Sequence, residues 1–79
     1  MPRYFFHLRD RGEAFEDLEG TELGDDEAAR TEALLTAREL LRIGSLSVRE
    51  WLGRSYEIVD ESGRRVAVVP FPDAIDVLE

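Results

Sequence analysis

At 79 residues the chain has room for one domain, spanning 1–79, and a chain of that size buries only about 60 to 65% of the surface its unfolded form exposes. It has no cysteine, which excludes disulfides and thiolate metal sites and leaves a partner subunit as the expected extra support. Ten of its eighteen carboxylates lie between Asp10 and Glu32 beside only Arg11 and Arg30, so this acidic segment carries the whole net charge of −8 and excludes nucleic acid and anionic membranes as its partners.

Arg3 to Arg9 alternates, with Tyr4, Phe6 and Leu8 on one side and Phe5, His7 and Arg9 on the other, which predicts a strand. The run Tyr4-Phe5-Phe6 is too short and too polar for a signal peptide. No stretch approaches the roughly 20 apolar residues of a membrane span, so a cytoplasmic protein without membrane association is expected. Asp10-Arg11-Gly12-Glu13 carries turn chemistry, and Ala14 to Leu18 continues as a second strand of a hairpin.

Glu19 to Gly24 is a connection ending at a helix start, Asp25-Asp26-Glu27, where Asp25 or Gly24 serves as N-cap and the acids oppose the positive end of the dipole. The helix is predicted from Asp26 to Ile43, stopping at Gly44. Ala29, Ala33, Leu34, Ala37, Leu40 and Leu41 form one stripe roughly 140° wide that faces the sheet, while Leu35 and Ala28 lie on the back.

In Ser45 to Gly53, the residues Leu46, Val48, Trp51 and Leu52 are too apolar for a solvated loop. They predict a packed loop or short helical turn over one end of the core, with Trp51 as its lid. Arg54 to Asp60 alternates again, with Tyr56 and Ile58 on one face. Asp60-Glu61-Ser62-Gly63 supplies a turn, and Arg65 to Val69 is a β-branched strand closed by Pro70. Pro72-Asp73 opens a short C-terminal turn or helix bearing Ala74, Ile75, Val77 and Leu78.

The order predicts an α+β, two-layer ββαββ fold: a four-stranded antiparallel sheet with one main helix on one face. The other face is then solvated, covered by the C-terminal tail or paired with another copy. Phe5 opposite Phe6 and the continuous run Val66 to Val69 make both faces partly apolar, which predicts a homodimer through the sheet or its edge.

Catalytic chemistry is not apparent. His7 is the only histidine, no serine has triad-like flanks, and the glycines never form a phosphate loop, for which a lysine is also missing. Neither an enzyme nor a bound cofactor is expected. His7 reads as a half-exposed strand residue or as a pH-sensitive interface residue tuned by Glu13, Glu16 or Asp17. Asp17, Glu19, Glu22, Asp25 and Asp26 are candidate Ca²⁺ or Mg²⁺ ligands, although an EF-hand spacing is absent and helix capping with solvated charge is the competing account. Arg3, Arg9, Arg54, Arg64 and Arg65 are interleaved with Asp10, Glu57, Asp60 and Glu61, so ion pairing is expected in place of a nucleic-acid surface. The residues assigned to interaction are Phe5, His7, Arg9 and, on the helix back, Leu35.

Met1-Pro-Arg-Tyr-Phe-Phe-His-Leu-Arg-Asp10, Glu19-Gly-Thr-Glu-Leu23 leading to Glu27-Ala-Ala-Arg30, and Trp51 ahead of Tyr56-Glu-Ile-Val-Asp-Glu61 carry a resemblance that Gly63-Arg64 and Val69-Pro-Phe71 extend over nearly the whole chain. It resembles a family of short uncharacterised proteins, a domain of unknown function found mainly in alphaproteobacteria. The resemblance implies a single cytoplasmic domain and supplies no activity, cofactor or site residue to carry over. The order ββαββ is also similar to antitoxin-like folds, a likeness that does not license function. Three expectations follow: a non-enzymatic interaction module acting as a homodimer, its acidic hairpin and helix start facing a basic protein partner; divalent-metal or small-ligand binding through 17–27; and antitoxin-like regulation.

Overall fold

A computed structural model describes residues 1–44 and 46–78, with side-chain surroundings through residue 75. The elements in order are β1 (Arg3–Asp10), β2 (Glu13–Phe15), β3 (Thr21–Glu22), α1 (Asp26–Arg42), α2 (Val48–Leu52), β4 (Arg54–Asp60), β5 (Arg65–Pro70) and a 3-10 helix (Phe71–Leu78). All strand pairs are antiparallel, in the order β2-β1-β4-β5, and β3 pairs with β1 on the flank it shares with β2. The α+β class with one main helix on the sheet is as expected.

The β2 region differs from the expectation of a strand over Ala14–Leu18. Pairing stops at Leu8↔Phe15 and resumes at Tyr4↔Thr21, so residues 16–20 stand opposite only Phe5 to His7 of β1. The reason is Asp17. Its carboxylate accepts the Phe6 N–H at 3.0 Å where a strand backbone would have done so, and the chain returns to the ladder as a fifth strand. The turn before it places Arg11 at φ 52° and Gly12 at φ 85°, the two positive dihedrals of a hairpin turn whose twist matches that of its strands.

Helix α1 begins at the Asp25 cap, which accepts the Ala28 N–H at 2.8 Å, and it ends at Ile43 before Gly44 at φ 72°. Ala29, Ala33 and Ala37 are fully buried, and their small size lets the helix axis lie close to the sheet. Leu34, Leu40 and Leu41 flank them half-buried. One core cluster joins Tyr4, Ala29, Ala33, Ile58 and Val69, and a second joins Ala37, Trp51, Phe71 and Ala74. Tyr56 packs against both.

Trp51 is the expected lid, 1% exposed, and its Nε1–H donates to the Ala37 carbonyl at 2.7 Å. It is delivered by α2, which a Ser47/Glu50 capping box starts. So short a helix turns one residue inward, and Val48 and Leu52 are exposed against the expectation that they pack. Ser45, the first residue of that stretch, lies outside the described residues. The C-terminal 3-10 helix inserts Phe71 and Ala74 beside α1, so it covers the helical side of the sheet and leaves the far face open. The surroundings of Val77 and Leu78, expected on that segment, lie outside what is described.

Candidate interaction surfaces

The far face of the sheet is built by strand alternation. Phe5, His7 and Arg9 of β1 stand beside Val59, Glu57 and Ser55 of β4, with Val68 of β5 next to Glu57. Three of the four residues assigned to interaction therefore share one surface, and the Phe5 and His7 rings stack with centroids 6.4 Å apart. Arg9 donates to Glu57 at 2.7 Å and Arg65 reaches its other oxygen at 3.1 Å. The Arg9 hydrogen bond, opposed by burial and helped by the charges of Arg9 and Arg65, holds the Glu57 carboxyl below its ordinary range. Arg3 with Glu22, Arg54 with Asp10, and Arg64 with Asp60 and Asp26 complete the ion pairing expected of the arginines.

His7 meets one of its three anticipated acids, though not through a carboxylate. The Asp17 backbone N–H donates to His7 Nδ1 at 3.1 Å, which makes Nδ1 the acceptor and puts the proton of the neutral ring on Nε2. The Asp17 side chain accepts three backbone N–H groups, from Phe6, Glu19 and Gly20. Burial works to raise its pKa, but these bonds outweigh it and hold the carboxyl below the usual range.

The other candidate metal ligands are dispersed. Glu22 pairs with Arg3, Asp25 caps α1, and Asp26 lies between the Tyr4 hydroxyl at 2.9 Å and Arg64 at 2.8 Å. Glu19 offers its carbonyl, not its carboxylate, to Arg3. Among the described residues no three acidic or histidine side chains converge to hold a metal ion.

Leu35, 43% exposed, is on α1 on the opposite side of the sheet from Phe5, His7 and Arg9. It borders a shallow depression of about 350 Å³ with Glu32, Thr36, Glu39 and Leu40. Glu32 and Thr36 also form one wall of a deeper cleft of about 260 Å³, completed by Phe6, Asp17, Thr21 and Tyr56. Sequence reasoning missed this cleft, because its walls come from α1, β1, β4 and the crossing from β2 to β3. Burial pushes the Tyr56 hydroxyl pKa up, with Arg54 opposing and Asp17 adding to it.

Among the described residues the sheet has one long unpaired edge, the outer side of β5, whose Val68 is 47% exposed. The opposite edge is made of the short β2 and β3 and holds much of the acidic segment. No helix among the described residues is long and apolar enough to cross a membrane. A family model described as a domain of unknown function, DUF6894, matches residues 3–72. No curated protein and no solved structure matches the chain.

Proposed function

Since the chain belongs to the DUF6894 family, a domain of unknown function, we propose from its geometry that it is a non-enzymatic interaction module, a homodimer joined through β5. The observation that carries this reading is the free edge of β5, a β-branched run from Val66 to Val69 that no other described strand pairs. An edge strand offers unpaired N–H and C=O groups that a second copy satisfies by antiparallel pairing about a two-fold axis. Charge favours this edge over the other. Pairing at β5 keeps the two acidic hairpins on opposite ends of the joint sheet, whereas pairing at β2 would bring them together.

The core supplies a second reason. Of the nine buried apolar residues among those described, four are alanine, so an isolated subunit has little large-side-chain burial and gains from a partner. No catalytic step is assigned, and the one histidine is engaged by the Asp17 backbone.

Light scattering over a micromolar dilution series tests the reading. The expected particle has twice the 9.0 kDa chain mass and dissociates on dilution. Val68→Lys places a charge on the edge, and repulsion across the two-fold should raise the dissociation constant by about tenfold or more with the circular dichroism spectrum unchanged. A monomer at every concentration, or a Val68→Lys protein that dimerises as well as wild type, removes the reading.

A further inference from the structure

The cleft between α1 and the β2–β3 crossing has a consistent chemistry. Its floor is aromatic, with Phe6 and Tyr56 edge to face at 6.1 Å. Its polar lining is Asp17, Glu32, Thr21 and Thr36, which offers two carboxylates and two hydroxyls and no basic side chain. Among the described residues, Glu32, the two threonine hydroxyls and the Tyr56 hydroxyl make no side-chain hydrogen bond within the protein. By contrast Glu22, Asp26, Glu39, Glu57 and Asp60 are all paired with arginines. Among the described residues neither carboxylate of this cleft, Asp17 or Glu32, is paired with an arginine.

We propose that the cleft receives the side chain of an arginine presented by a basic partner protein, its guanidinium between Glu32 and Asp17 and its methylenes along Phe6 and Tyr56. The inference rests on reading the chain as an interaction module, but not on the β5 dimer. Size supports a single side chain: about 260 Å³ falls below the roughly 300 to 1,000 Å³ of sites for drug-sized ligands. Charge complementarity selects a cation, since this wall belongs to the segment that carries the net charge of −8. Arginine fits better than lysine because a planar guanidinium pairs bidentately with a carboxylate and stacks on aromatic rings. The adjoining depression, with Leu35 and Leu40, accommodates an apolar neighbour of that arginine, which gives Leu35 a role on this side of the molecule.

The test is a nuclear magnetic resonance titration of isotope-labelled protein with N-acetyl-arginine amide and, separately, its neutral isostere N-acetyl-citrulline amide. Saturable shifts confined to Phe6, Thr21, Thr36, Tyr56 and their neighbours are expected at millimolar arginine derivative. The citrulline compound should bind about tenfold more weakly. Glu32→Gln should weaken arginine binding about fivefold or more while the remaining spectrum superimposes, since Glu32 supports no other described contact. Shifts scattered over the acidic surface, equal response to citrulline, no saturable shift, or an unaffected Glu32→Gln protein would each overturn the proposal. Run on the Val68→Lys protein as well, the titration separates the two readings: loss of the dimer leaves arginine binding in place, and loss of arginine binding leaves the dimer in place.

Discussion

Two aspartates each organise a turn, Asp17 between β2 and β3 and Asp60 between β4 and β5, and they do so over different distances. Asp60 accepts the Ser62 N–H and hydroxyl and the Arg64 N–H on one oxygen, and the Arg64 guanidinium on the other. Every partner is within four residues. Asp17 also serves its local loop, through Glu19 and Gly20, but it reaches back 11 residues to Phe6, while its own N–H reaches 10 residues to His7. Each loop contains a glycine at positive φ, Gly20 at 72° and Gly63 at 90°. A Cβ on Gly63 would meet nothing within 4 Å, whereas one on Gly20 would stand 2.8 Å from Arg3 Cγ and 3.0 Å from both Phe5 Cε1 and the Tyr4 carbonyl oxygen. The same device makes a self-contained turn in one place and a tertiary joint in the other.

The glycines should separate the two most widely. Gly20→Ala adds crowding against backbone to the left-handed penalty and should cost about 2 to 4 kcal/mol, lowering the melting temperature by roughly 10 to 25 °C. Gly63→Ala faces open space and should cost about 1 kcal/mol. Equal losses would show that conformation alone, not packing onto β1, fixes the first loop. Asp17→Ala comes next in size. It strands the Phe6 N–H inside the sheet and should cost about 2 to 3 kcal/mol in chemical denaturation, whereas Asp60→Ala, whose partners are exposed, should lose distinctly less.

The smallest effect is the pH dependence. Bonds led by the Ser62 hydroxyl lower the Asp60 pKa from 3.8 to about 2, and Asp17 is held below 3.8 as well. A carboxyl depressed in the folded state contributes stability that is complete above its unfolded pKa and disappears as pH falls through the folded one. Melting temperature should therefore be level from pH 7 to about 5 with respect to these groups and fall between about 4 and 2, and each Asp→Ala change should flatten that acid limb. An unchanged limb in Asp17→Ala would mean that its carboxyl holds no depressed pKa in the folded chain.

The same contrast explains what could be read in advance. The Asp60–Gly63 turn, the Asp25 cap, the Gly44 stop and the Trp51 lid depend on residues a few positions apart or on the burial a tryptophan demands. The double role of Asp17 depends on strand register, so its place in the chain suggested a neighbour of His7 or a metal ligand but not the acceptor of the Phe6 N–H, and β3 went unseen with it. Alternation placed Phe5, His7 and Arg9 on one face. It could not show that Glu57, 48 positions from Arg9, would lie between Arg9 and Arg65, nor that the depression bordered by Leu35 would adjoin a cleft whose walls come from four separate stretches of chain.

Trp51 gives the molecule an internal spectroscopic reporter. It is the only tryptophan, its indole ring lies 6.0 Å from that of Phe71, and its N–H is bound to the Ala37 carbonyl. Its fluorescence therefore senses the meeting of α2, α1 and the C-terminal 3-10 helix, and it is remote from the β3 end of the sheet. Followed beside the amide circular dichroism of the whole chain, that emission distinguishes a domain that melts in one step from one whose helical layer lifts off before its strands part.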